Sequence, residues 1–201
     1  MSSIDAELAD QAAAISSYLA LVGETPQIPA LDAALRDARE TMDHGKALWL
    51  ATLGYLIVIE MLGRSVASLA SKYPNRLSAT NRFVAGAREF SDPELSQADA
   101  EALYSLRCAL AHEYSLRNEG KKLQHIFTLQ QSGPMVEHAQ RPWTGAAPLP
   151  QNITTVNVRA VGEFVERLVA DVRAAHERSE VVLAPGMTSM DLRNFGQFVL
   201  S

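Results

Sequence analysis

A chain of 201 residues with an apolar share of 47% and a mean hydropathy of -0.04 can bury a sizeable core, and it is neither disordered nor membrane-embedded in composition. Its net charge of -5 argues against a protein that coats nucleic acid non-specifically, although a local basic cleft stays open because the field that matters is regional. The single cysteine, Cys108, excludes an intramolecular disulfide and cannot alone build a zinc site, so neither a metal nor a cofactor is expected.

The first residues, Ser2-Ser3-Ile4-Asp5-Ala6-Glu7, are acidic and lack the basic start and apolar run of a signal peptide, which predicts a cytoplasmic chain. Ile4, Leu8, Ala12, Ile15, Leu19 and Val22 recur at helical spacing until Gly23 and the Pro26–Pro29 pair. A second amphipathic helix is expected over Leu31 to Met42. Residues 46 to 72 read as the longest and most apolar helix. A membrane span needs roughly 20 apolar residues, and Glu60 and Arg64 interrupt this stretch, so it is expected as the central helix of a bundle. Pro74 closes it, and a short helix is predicted from Thr80 to Phe90.

Ser91-Asp-Pro-Glu94 has the composition of a turn, and Ser96 followed by Asp99 has capping character. The helix they open carries Leu103, Leu106 and Leu110 on a packed face. After Gly120 the period changes: Leu123, His125, Phe127 and Leu129 alternate with polar neighbours, which predicts a strand. A second strand is expected at Ile153 to Val158, the two forming a small β-hairpin before the last long helix, which runs from Val161 to about His176. The intervening loop of about 20 residues holds four prolines, and a loop that long is either functional or mobile. The expected architecture is mainly α: a helical bundle over 1–180 with the hairpin and long loop at about 121–158, and a tail over 181–201 that packs back or onto a partner.

One stretch of this bundle carries chemistry. Leu103-Tyr-Ser-Leu-Arg-Cys-Ala-Leu-Ala-His-Glu-Tyr-Ser-Leu116 sets Arg107 and His112 into an apolar run, where both need a cleft, a partner or a hydrogen-bonding group. One titrates near neutral pH and the other is permanently cationic. Spacing alone is a weak signal, since Arg39–His44 repeats it on a polar stretch that reads as surface.

The run Arg107-Cys-Ala-Leu-Ala-His112, completed by Tyr114, resembles the Arg-x4-His-x-Tyr pattern of the HEPN superfamily of helical bundles, in particular its ribonuclease toxins. Here Cys108 follows the arginine where the family often has Asn or another polar residue. The resemblance covers about residues 1 to 120 and the final helix, and it implies a HEPN-like bundle and a metal-independent endoribonuclease, a toxin or abortive-infection effector. It further implies that His112 acts as general acid or base, that Arg107 holds the phosphate, and that a homodimer completes the site by bringing two motifs to one cleft. A nucleotidyltransferase-type antitoxin is an implied partner, with Tyr114 as the residue it would modify. RNA is the implied substrate because only RNA carries the internal 2′-hydroxyl nucleophile. Arg117, Lys121 and Lys122, just downstream, would steer its phosphates. A catalytically silent HEPN-like dimerisation or nucleotide- and RNA-binding scaffold is the alternative.

The residues alone leave plainer readings open. His112 can be a helix-terminal histidine bound to a backbone carbonyl, and Arg107 can pair with a core carboxylate such as Glu60. Tyr114 can be a packing residue with a wet hydroxyl, Cys108 a small buried residue, and Arg117, Lys121 and Lys122 a solvated face. Glu60 and Arg64 can pair with each other at i, i+4. Residues five apart on an ideal helix lie about 140° apart, so Arg107 and His112 need a helix end or a second subunit to converge.

Overall fold

The computed structural model describes residues 3–24, 28–45, 47–119, 124–144, 147–195 and 197–198. In chain order the elements are α1 (Ser3–Leu19), β1 (Ile28–Pro29), α2 (Ala30–Asp43), α3 (Leu48–Ser65), β2 (Val66–Ser68), α4 (Ala79–Arg88) and α5 (Gln97–Cys108). A π-helical turn (Ala109–Glu113) extends α5, and β3 (Arg117–Glu119), β4 (Gln124–Gln130), β5 (Val136–Glu137) and β6 (Ile153–Asn157) follow. The chain ends with α6 (Val158–Glu177), β7 (Val181–Leu183), α7 (Ser189–Phe195) and β8 (Gln197–Phe198). The fold is mostly helical with small sheets, as the periodicities predict.

α3 is the hub. It is long and apolar enough by composition to cross a membrane, yet half of it is buried within the molecule. Tyr55, Leu56, Val58, Ile59 and Leu62 are enclosed by α2, α4, α5 and α6. Its closest approach is to α4, at Gly63 and Gly86. A Cβ on Gly63 would overlap the Arg82 carbonyl and one on Gly86 the Ile59 carbonyl, so the helices can cross at this depth only without side chains there. Beside this crossing Arg76 is buried with Glu89. Its Nη1 donates to the carbonyls of Gly63 and Val66 at 2.9 and 2.7 Å, capping the end of α3.

Two expectations are corrected. The helix predicted to reach residue 72 stops at Ser65, because Val66–Ser68 pairs antiparallel with Val181–Leu183. Three residues are too few to announce a strand by period, and only the tail provides the partner. Of the strands expected at 123–130 and 153–158, Leu123 lies outside the described residues and Val158 opens the last long helix. Residues 124–130 and 153–157 do form strands and do pair, but the ladder is parallel, with Ile126 opposite Ile153 and Gln130 opposite Asn157. They are therefore not a hairpin. A parallel pair needs a crossover of a dozen residues or more, and residues 131–152 supply it, which is why that loop is long. Within it β5 adds antiparallel to β6, and β3 adds antiparallel to β4, giving the order β3-β4-β6-β5.

The tail packs back on its own chain. β7 joins β2, α7 lies on α1, and β8 pairs with β1, while Val181, Ala184 and Leu192 are buried.

Gly63→Ala is expected to destabilise the fold by about 2–3 kcal/mol, because both neighbours of the new Cβ are backbone and cannot swing aside. Urea unfolding measures this, and a variant as stable as the parent would show that the α3–α4 crossing is loose.

Candidate functional site

α5 begins as its sequence predicts, with Ser96 Oγ accepting from the Asp99 amide at 3.0 Å and the Ser96 hydroxyl donating to Asp99 Oδ2 at 2.7 Å. Ala100, Leu103, Leu106 and Leu110 face the core. The helix then widens. Residues Ala109–Glu113 adopt the π-helical, i→i+5 pattern, and the Tyr114 amide closes it on the Ala109 carbonyl. This removes the 140° problem, since groups five apart come together on one face of a π turn. Arg107 Nη1 lies 3.0 Å from His112 Nε2. A guanidinium has only donors, so Nε2 is the acceptor and the neutral ring carries its proton on Nδ1.

Arg107 has a second neighbour: its Nε lies 2.7 Å from Glu60 Oε2 on α3. The N–H is not aligned on that oxygen, so the contact is an ion pair without a hydrogen bond. Two readings of Arg107 thus hold together, a pairing with the Glu60 carboxylate and a contact with His112. Among the described residues Nη2 has no partner, and it is the donor left for an incoming anion. His112 is exposed and meets Arg107, not a backbone carbonyl, through Nε2. The pair stands on an open surface, and the three main cavities are lined by other residues.

The second Arg-x4-His match behaves differently. Arg39 on α2 bonds Glu166 through two nitrogens at 2.9 and 2.6 Å, and His44 Nδ1 meets the Glu40 carbonyl at 2.6 Å. As expected, that pair is surface.

The other candidates divide. Tyr114 is 81% exposed and holds a left-handed backbone at φ 47°. It is therefore not a packing residue. Arg117 is exposed, and its guanidinium stacks 5.8 Å from the centroid of buried Trp143 in the crossover, a cation–π contact. Lys121 and Lys122 lie outside the described residues. Cys108 is half-buried beside Tyr104, whose hydroxyl is held above the usual phenol range, chiefly by burial and then by contact with that thiol. Asn118 went unmarked in the sequence, yet it ties β3 to α5, its amide donating to Ser105 Oγ at 2.7 Å and to the Ser105 carbonyl at 3.1 Å. No sequence signal marks that contact, because it depends on how β3 lies against α5.

Two histidines without ligand-like spacing meet structural partners. His138 Nε2 lies 2.7 Å from Asp99 Oδ1, and His125 stacks on Phe127 at 5.4 Å. Burial first, and the nearby His138 second, hold the His125 imidazole below the usual histidine range. Among the described residues no cluster of three or more His, Cys, Asp or Glu could hold a metal ion.

Comparison of the chain with protein-family models, with curated proteins and with solved structures finds no match.

Two measurements test this geometry. Tyr114→Gly is expected to leave stability unchanged or raise it by up to about 1 kcal/mol, because glycine adopts the left-handed conformation without strain, and Tyr114→Val to lower it by about 1–2 kcal/mol. A clear loss in the glycine variant would mean that the ring packs. His138→Ala should move the His125 titration, followed by NMR, only part of the way up, since burial is the larger cause. The folded pKa lies below the unfolded one, so this site's stability is present at higher pH and falls as pH drops through the ordinary value near about 6.5. A full return to the ordinary value would make His138 the dominant cause.

Proposed function

We propose that the protein is a metal-independent endoribonuclease of HEPN type, acting in the cytoplasm as a toxin or defence effector. The observation that carries the reading is the 3.0 Å contact between Arg107 Nη1 and His112 Nε2 on an open surface, created by a π turn. In this mechanism a phosphate of the RNA draws Arg107 away from the imidazole. The guanidinium then binds the phosphate through charge-assisted hydrogen bonds and stabilises the charge that builds on it. The freed Nε2 takes the proton of the adjacent 2′-hydroxyl, whose oxygen attacks phosphorus as the bond to the 5′-oxygen breaks.

That leaving oxygen needs a proton from a second group, and one histidine cannot be base and acid in the same step. A second copy of the chain supplies it. On α3, Trp49, Leu50, Leu53, Ile57, Glu60 and Arg64 fall within one arc of about 100°. Trp49, Leu50 and Ile57 on that arc are exposed. The apolar stripe leads to Glu60, and so to Arg107. An isologous contact along it would set two Arg107–His112 pairs near one two-fold axis. A nucleotidyltransferase-type antitoxin acting on exposed Tyr114 belongs to the same proposal.

A catalytically silent scaffold is the second reading, and one observation favours it: Glu60 offsets the charge that Arg107 would bring to a phosphate.

RNA cleavage is expected to fall at least a hundredfold in both Arg107→Ala and His112→Ala, with the dimer intact by light scattering. Ile57→Glu should shift the protein to monomer and lower cleavage with it. Cleavage unchanged in the first two variants would sink the nuclease reading and leave the scaffold.

A further inference from the structure

A cavity of about 620 Å³ lies between α3, the segment before α4, α4 itself and the tail, with Arg64, Arg76, Arg82, Asp191 and Asn194 on its wall. Arg76 is used up internally. Its Nε donates to the Tyr73 carbonyl, its Nη1 to those of Gly63 and Val66, and its Nη2 pairs with Glu89.

Arg82 is different. Its Nη1 is fixed by the Leu77 and Arg76 carbonyls at 3.1 and 3.4 Å, and its Nε is enclosed without a partner. Among the described residues no carboxylate pairs with it. Arg76, Arg88, Arg107 and Arg173 each have one, and arginines that lack one among these residues, such as Arg36 and Arg141, are exposed, whereas Arg82 is half-buried on the cavity wall. A guanidinium aimed by backbone carbonyls and left without a counter-charge is pre-organised for an anion. The one carboxylate on the cavity wall, Asp191, accepts from the Thr188 amide and hydroxyl and is held below the usual carboxylate range, chiefly by those bonds and least by the charge of Arg64. With Glu89 set against Arg76 and Asp191 held by Thr188, the charge of Arg82 is left over.

The position of the cavity gives this charge a meaning. Arg64 follows Glu60 by four residues, which is about 6 Å along α3 and about 40° around it. Glu60 is the residue that holds Arg107. The Arg64 edge of the cavity therefore lies one helical turn beyond Glu60, along the same face of α3.

We infer that this cavity is a phosphate subsite, in which Arg82 and Arg64 grip a phosphodiester of the RNA strand whose neighbouring linkage lies on Arg107 and His112. The inference rests on the nuclease reading above. A free nucleotide would present the same phosphate chemistry, so the test separates the two sources.

The full chain carrying His112→Ala binds a short fluorescent single-stranded RNA in anisotropy titrations across a series of salt concentrations. Adding Arg82→Gln or Arg64→Gln is expected to weaken binding about three- to tenfold, and the double variant to lower the slope of log K against log salt by about 0.7, one phosphate contact. Because Arg82 also bonds two carbonyls, Arg64→Gln at an exposed position reads the same cavity independently, and Arg82→Lys should restore part of the affinity. Adenosine monophosphate and inorganic phosphate serve as competitors and are expected to compete only weakly. Unchanged affinity and slope in the folded Arg64→Gln and Arg82→Gln proteins would overturn the subsite, even where Arg107→Ala abolishes cleavage. Tight binding of the mononucleotide, lost in Arg82→Gln while RNA affinity stays the same, would replace the strand by a free nucleotide. Cleavage that survives Arg107→Ala and His112→Ala defeats the nuclease reading instead, and the binding titration still decides the cavity.

Discussion

A guanidinium is charged at every accessible pH, so an arginine drawn into a helical bundle must meet acceptors or stay at the surface. This chain resolves that constraint in one repeated way, by joining an arginine of one segment to a carboxylate of another. Arg173 on α6 meets Asp32 on α2 at 2.8 Å and the Leu19 carbonyl at the end of α1, and Arg39 on α2 meets Glu166 on α6. Arg76 and Glu89 do the same at the α3–α4 crossing, where both side chains are almost fully buried. A buried pair of this kind contributes little net stability, but removing one partner leaves an uncompensated charge and costs about 3–5 kcal/mol. The pairs therefore fix which helices can be neighbours, and the apolar core supplies the driving force.

Against that pattern, the Arg107–Glu60 pair looks unlike a structural clasp. It is no more exposed than the Arg39–Glu166 pair, but its N–H misses the oxygen it faces, whereas Arg39 and Arg173 donate hydrogen bonds to their carboxylates. Such partly solvated pairs contribute about 0–1 kcal/mol. The π turn below it gives up the closer hydrogen-bond spacing of an α-helix, and it ends in a tyrosine with positive φ, a further local cost. Stability alone accounts for neither feature. Both make sense if what is held in place is the guanidinium beside the imidazole.

Most of the bundle was legible in the sequence because helical periodicity reports a buried face directly. Leu103, Leu106 and Leu110, on α5 and the turn that extends it, were assigned to a packed face from spacing and are buried as expected. The strands at 124–130 and 153–157 were legible for the same reason, through alternation. Their direction was not, since alternation says that a segment is a strand but not which way its neighbour runs. The proline-rich crossover held that information in its length. The π turn could not be read from residue types; the spacing said only that Arg107 and His112, five residues apart, need a helix end or a second subunit to converge. Arg82 was invisible among fourteen arginines, because what sets it apart is a guanidinium fixed by two backbone carbonyls on a cavity wall, with its Nε enclosed and unpartnered, which only the fold could reveal.

The exposed face of α3 joins these observations into one argument. Along it come, in order, an apolar stripe at Trp49, Leu50 and Ile57, then Glu60 with Arg107 and His112, then Arg64 at the mouth of the arginine cavity. If the stripe is where a second copy docks, the two-fold axis lies on one side of the proposed catalytic pair and the proposed phosphate subsite on the other. A strand crossing from the axis would pass the cleavage position before reaching Arg82, and the symmetric copy would meet its own strand, or the same one, from the opposite direction. The second histidine would then come from the side of the axis and the second phosphate grip from the side of the cavity. On the proposed reading one helix face would set both the spacing between the two motifs and the path of the RNA, and a change at Ile57 and a change at Arg82 should disturb separate steps, assembly in the first case and strand binding in the second.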